Sequence, residues 1–172
     1  MNEIASDSLL LSDSELLWEC DVDTLRSSGP GGQHRNKTES GVRLKHRPTG
    51  VTAQAFERRS QARNREVALH RLRRAIAVQA RRDVDPPTFV PSDSLRAILP
   101  GTRGRIRPGN DRFWTGAREL LDLFAACNCG IADTAGVLGI SSGALSRLLS
   151  ADPQLLRTAS GMREVRGLGR LK

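Results

Sequence analysis

The sequence predicts an α+β fold: a small mixed domain with antiparallel strands and a long basic helix, followed by a small all-helical domain of helix-turn-helix type. Three observations carry this. Short apolar alternations bounded by turn residues fill the first third of the chain, at 21–26, 41–47 and 51–56. From about Ser60 the apolar spacing turns helical, with Leu69, Leu72 and Ile76 on one face. Between 83 and 110 lie Pro86, Pro87, Pro91, Pro100, Pro108, Gly101, Gly104 and Gly109, after which helical spacing resumes. The expected division is 1–83 for the mixed domain, 84–110 for a Pro/Gly/Arg-rich linker and 111–172 for the helical domain.

In chain order, Ser12 or Asp13 caps a short helix reaching Cys20, with Glu15 where a carboxylate favours a helix start. A strand follows at Asp21–Arg26. Residues 27–38 hold Gly29-Pro30-Gly31-Gly32, which excludes regular structure there. Gly41–Arg47 and Val51–Phe56 read as strands joined by the Pro48-Thr49-Gly50 turn. A basic helix covers 60–82, with Arg63, Arg65, Arg71, Arg73 and Arg74 around its other faces. A short helix near Ser94–Leu99 interrupts the linker. Asp111–Cys127, Ile131–Leu138, Ser142–Ser150 and Pro153–Ser160 are read as helices, and Trp18 and Trp114 as core residues.

The chain has 172 residues and a net charge of +8, with a sequence pI near 10.8. That balance points to nucleic acid as partner. Aromatics are 3% of the chain and Tyr is absent, which argues against a sheet that stacks bases on several rings. The charge is uneven. Residues 1–24 carry seven acids and no Lys or Arg, whereas 25–82 carry fifteen basic residues and three acids. The acidic start excludes an Arg-rich transit peptide, and no apolar run reaches the roughly 18–20 residues of a membrane span. The expectation is a cytoplasmic monomer without membrane partner. Cys20, Cys127 and Cys129 lack nearby histidines, so reduced thiols are expected, with no metal and no cofactor.

The chemistry concentrates in Gly29-Pro30-Gly31-Gly32-Gln33-His34-Arg35-Asn36-Lys37-Thr38. Paired glycines let main chain approach a ligand closely. Gln33 has no useful pKa and cannot act as a base. It offers an amide side chain and a backbone N–H, which at a loop tip can stabilise developing negative charge. Arg35, Lys37, Arg43, Lys45 and Arg47 flank it as phosphate ligands.

The ordered run Ser27-Ser28-Gly29-Pro30-Gly31-Gly32-Gln33-His34, Asn36-Lys37-Thr38, Pro48-Thr49-Gly50, Arg59-Ser60-Gln61 and Asn64 closely resembles the catalytic domain of class I peptide chain release factors, over about residues 18–80. The resemblance implies peptidyl-tRNA hydrolysis at the large-subunit peptidyl transferase centre. It implies that Gly31, Gly32 and Gln33 are the catalytic residues, the Gln33 N–H stabilising the leaving 3′-oxygen while its side chain admits water. It also implies that Gln33 is a candidate for N5-methylation by a glutamine methyltransferase. The rRNA- and tRNA-binding set expected from charge and resemblance is Arg35, Asn36, Lys37, Arg43, Lys45, Arg47, Arg59, Arg63, Arg71, Arg73 and Arg74. Arg35 departs from the small apolar residue many relatives carry. A chain of this length leaves no room for a codon-reading domain, so the resemblance is to the short, codon-independent ribosome-rescue branch.

Ala135, Gly139 and Leu145 fall at helix-turn-helix offsets, with Ser141, Ser142, Ser146 and Arg147 turned outward. Arg103, Arg105, Arg107 and Arg112 form a second basic run that could grip rRNA. Two rival functions stay open: a non-catalytic binder of stalled large subunits carrying peptidyl-tRNA, and a helix-turn-helix regulator that binds nucleic acid.

Overall fold

A computed structural model describes residues 8–26 and 40–171. Two compact units divide the chain, one running to Gln79 and the other from Ala80.

The first unit is the predicted α+β domain. Helix α1 (Asp13–Trp18) starts at a reciprocal cap: Glu15 N–H donates to Ser12 Oγ at 3.3 Å, and Ser12 N–H donates to Glu15 Oε2 at 2.8 Å. Strands β1 (Cys20–Leu25), β2 (Gly41–His46) and β3 (Thr52–Ala55) form an antiparallel sheet in the order β1-β2-β3. The β2–β3 turn closes with Gly50 at φ +69°, a backbone angle that favours glycine. Helix α2 (Gln61–Gln79) lays Ala68, Leu69, Leu72 and Ile76 against Val42, Leu44 and Ala55, with Leu16 of α1 completing the core. Each of the larger side chains contributes roughly 1.5–3 kcal/mol by leaving water. His46 is fully buried, with Nε2 2.8 Å from Glu19 Oε2 and Nδ1 2.7 Å from Thr49 Oγ1.

Two expectations are corrected here. Trp18 is not a core residue; it is 82% exposed. Leu16 takes the inward position of α1, and two residues further on the helix has turned through about 200°. Arg73 does not face outward. It is 6% exposed and donates to the carbonyls of Leu9 at 3.2 Å and Leu11 at 2.7 Å, and pairs with Asp13 at 2.9 Å. Position 73 lies on the stripe of 69 and 76, so the core requires it to bury, and the chain leading into α1, with the helix's first residue Asp13, supplies its acceptors.

Helix α2 ends at Gln79, three residues before the expected limit. Arg82 N–H and the Arg81 guanidinium both donate to Asp122 Oδ1 at 3.1 Å, which draws 80–82 into the second unit. Arg118 pairs with the other oxygen of Asp122 at 3.3 Å. Burial pushes the Asp122 carboxyl up and the Arg81 guanidinium down, to about 10.

The second unit is helical: α3 (Asp93–Arg96), α4 (Arg112–Ala126), α5 (Ile131–Val137), α6 (Ser142–Leu149) and α7 (Pro153–Val165), with a 3-10 turn at Pro86–Thr88. Segment 84–110, expected as a linker, is folded within it. Leu95 and Ile98 are fully buried, and Gly116 lets α4 approach so closely that a Cβ there would stand 2.4 Å from the Ser94 carbonyl oxygen. Phe113 and Trp114 meet edge-on with centroids 5.3 Å apart, so Trp114 is a core residue as expected. Ala135 and Leu145 are buried between α5 and α6, and Gly139 adopts φ +65° in the connection.

Candidate functional site

The register of β1 and β2 sets the base of the glycine-rich segment. Leu25 pairs with Gly41, so the chain leaves β1 and enters β2 at the same end of the sheet. Gly31, Gly32, Gln33, Arg35, Asn36 and Lys37 lie outside the described residues. Their flanks are described and are tightly built. A Cβ on Gly41 would stand 2.5 Å from the Phe56 ring and 2.8 Å from the Leu25 carbonyl oxygen, so only glycine lets the strands close at this point. Asn64, fully buried near the start of α2, donates to the carbonyl of Ser40 at 2.6 Å and to that of Arg58 at 2.8 Å. Its own amide oxygen accepts the Arg58 N–H at 2.9 Å. One side chain thus ties the returning end of the segment to the β3–α2 connection.

Strand alternation places Arg43 and Lys45 on the exposed sheet face, and Arg47 follows in the turn. Arg43 donates to Asp23 through Nη2 at 2.7 Å and Nε at 3.1 Å. Arg47 donates to Asp21 at 3.3 Å and to the Trp18 carbonyl. These acids come from the strongly negative N-terminal segment, which therefore folds back on part of the basic block. Such exposed pairs contribute about 0–1 kcal/mol. Lys45 is exposed with no partner among the described residues, as is the Arg59 side chain.

On α2, Arg63 is exposed and loosely paired with Glu66 at 3.4 Å. Arg71 donates to the Gln54 carbonyl at 2.7 Å and pairs with Glu57 at 2.6 Å, and its hydrogen bond holds the Glu57 carboxyl below the usual carboxylate range. Arg74 is half-buried. Arg73, committed to Leu9, Leu11 and Asp13, leaves the expected binding set. Sequence reasoning overlooked the closure at Gly41 and Phe56 and the exposed Arg58; Arg65, placed on an outer face of the helix but left out of the expected binding set, is exposed as well. A glycine at a strand start beside a glycine-rich run was the available signal for the first. In the second unit Ser141, Ser142 and Arg147 are exposed, while Ser146 is half-buried and donates to the Ser142 carbonyl at 3.0 Å.

Among the described residues no group of three or more His, Cys, Asp or Glu side chains could hold a metal ion, and no helix is long and apolar enough to cross a membrane.

The RF-1 domain family matches residues 16–88. The chain is 40% identical over 84 residues to the mitochondrial "peptide chain release factor 1-like" protein of Rattus norvegicus, covering 49% of this chain and 21% of that one. It is 56% identical over 52 residues to peptide chain release factor 1 of Xylella fastidiosa and 61% identical over 52 residues to peptide chain release factor 2 of an Acidovorax species; each match covers 30% of this chain and 14% of the relative. The chain thus spans about a fifth or less of the length of these relatives. The matched span holds all three strands, α2 and the Asn64 anchor. Over residues 16–88 the chain is thus similar to the RF-1 domain that class I peptide chain release factors carry.

Proposed function

We propose that the protein hydrolyses peptidyl-tRNA on the ribosome without reading a codon, and so acts in ribosome rescue. The carrying observation is that the RF-1 match spans the sequence segment with Gly31-Gly32-Gln33, whose two flanks are locked by the Leu25–Gly41 pairing and the Asn64–Ser40 bond. In this reading water attacks the ester carbonyl carbon, the bond to the tRNA 3′-oxygen breaks, and a proton passes from water to that oxygen. The products are the peptide acid and the free 3′-hydroxyl. The Gln33 N–H stabilises the charge developing on the departing oxygen, and the glycines allow the approach. The ribosome supplies the rest of the centre. Arg43, Lys45, Arg47, Arg59 and Arg63 hold RNA phosphates around the base of the segment, and Gln33 is the site of N5-methylation. The proposed setting is the cytoplasm.

The test is release of labelled peptide from ribosomes that carry peptidyl-tRNA and no stop codon. Wild type should release it. Gly32→Ala should lose nearly all activity because the side chain restricts the main chain, while Gln33→Ala keeps the N–H and a measurable rate. Binding without release by the wild-type protein would replace this reading with that of a non-catalytic binder.

A further inference from the structure

We infer that Arg103, Arg107 and Arg112 form a phosphate-gripping surface on the second unit, whose partner is the RNA of the large ribosomal subunit. The inference rests on the ribosomal reading above and extends it to the half of the chain that the RF-1 match does not cover. Residues 94–110 contain four arginines and no acid, and Arg112 follows at once; Asp111 is the one carboxylate between 94 and 112. A net charge of +4 over so short a stretch repels itself unless it is spread through water or met by an anion.

The stretch is not a loose tail. Thr102 Oγ1 donates to the Arg96 carbonyl at 2.9 Å, Ile106 N–H to the Ala97 carbonyl at 2.8 Å, and Arg105 Nε to the Ile98 carbonyl at 2.8 Å. These bonds fasten it to the segment whose Leu95 and Ile98 are fully buried. They also separate the arginines by role. Arg105 is half-buried and fastens the turn, while Arg103, Arg107 and Arg112 are exposed. Gly101 at φ +87° and Gly104 at φ +71° bracket Arg103, and nothing stands within 4 Å of where their Cβ atoms would be. The main chain there is open to a partner as well.

Arg112 adds an independent reason. It is the first residue of the 15-residue helix α4, whose N-cap is Asp111, without a side-chain cap bond, and whose first turn contains no acid. A cation at that end opposes the helix dipole, at a cost of about 0.3–1 kcal/mol. The same placement favours an anion, because dipole and guanidinium then act together. RNA phosphate fits this surface better than a duplex read by α6, which exposes a single cation, Arg147.

The experiment compares the full-length wild type, the triple variant Arg103→Gln/Arg107→Gln/Arg112→Gln, and Arg105→Gln. Binding is measured to large subunits and to protein-free large-subunit RNA over a series of salt concentrations. The triple variant should keep the wild-type melting temperature, bind both probes tenfold or more weakly, and show a salt slope smaller by about two to three. Arg105→Gln should melt earlier and keep most of the slope. Wild-type affinity and slope in the triple variant would overturn the inference while leaving peptide release by the wild type standing. Weaker binding to subunits but not to naked RNA would assign the surface to a ribosomal protein and overturn it too. So would tight binding of duplex DNA abolished by the same changes. A wild type that neither binds subunits nor releases peptide would remove the ribosomal reading itself.

Discussion

The side-chain amide of Asn64 donates to the main-chain carbonyl of Ser40, 24 positions earlier, at 2.6 Å. Ser40 is where the chain rejoins the sheet after the Gly-Gly-Gln segment, so the start of α2 holds one end of that segment. Asn64 uses both amide hydrogens and its oxygen, and no other side chain of similar size supplies two donors and an acceptor in that arrangement.

Asn64→Asp keeps the shape and removes both donors. The Ser40 and Arg58 carbonyls then face a group that only accepts, at about 1–3 kcal/mol for each buried group left unsatisfied. Stability should fall, and peptide release at saturating protein should fall further than in Leu72→Ala, a core change remote from this anchor. Release by Asn64→Asp equal to that of Leu72→Ala would show that the anchor serves the fold alone.

The arginines of α2 should separate into structural and binding groups. Arg73→Met removes bonds to Leu9, Leu11 and Asp13 and should cost about 2–4 kcal/mol in denaturant unfolding, without altering the salt slope of ribosome binding. Arg59→Gln together with Arg63→Gln should leave stability within about 0.5 kcal/mol and lower the slope by about one for each phosphate no longer held. The reverse pattern would place the binding face elsewhere.

The features that were legible in the sequence are those fixed by local chemistry. Ser12 with Glu15 marked α1, Pro48-Thr49-Gly50 marked the β2–β3 turn, and Leu69, Leu72 and Ile76 marked the buried face of α2. The misreadings needed partners distant in sequence. Arg73 carries a charge that suggests solvent, while its position on the 69/76 stripe requires burial; only acceptors some sixty residues earlier reconcile the two. The end of α2 depends on Asp122, forty residues on. Segment 84–110 looked like a linker because Pro and Gly dominate it, yet Leu95 and Ile98 are fully buried in the second unit. The motif at Gly31-Gly32-Gln33 was legible from its residues, whereas the Asn64–Ser40 bond that holds its return to the sheet was not.

Cys20 gives a pH prediction. It is 6% exposed, its Sγ–H donates to the Leu16 carbonyl at 3.1 Å, and burial pushes the thiol up to about 11. In the unfolded chain a thiol ionises near 8.5. The folded state therefore holds its proton more tightly. The associated stability is fully present below about pH 8.5 and is lost as pH rises through the folded value. The interval from about 8.5 to about 11 corresponds to about 3 kcal/mol at most. Denaturant midpoints should fall between neutral pH and strongly alkaline pH by more in wild type than in Cys20→Ala. An equal fall in both would show that Cys20 does not ionise on unfolding.

The two tryptophans give a direct optical check on the fold of both units. Trp18 is 82% exposed on α1, and Trp114 is 3% exposed on α4 against Phe113. Wild-type fluorescence should be the sum of a red-shifted, readily quenched emitter and a blue-shifted, protected one. Acrylamide quenching should accordingly curve downward in a Stern–Volmer plot. Trp18→Phe should remove the red component, leave one protected emitter, and shift stability by no more than about 0.5 kcal/mol, as for other exposed positions. Trp114→Phe should leave the accessible emitter and destabilise by about 1 kcal/mol or more through the smaller ring in a packed site. A Trp18→Phe protein that unfolds markedly more easily than wild type, or whose remaining emission is still red-shifted and fully quenched, would return Trp18 to the core.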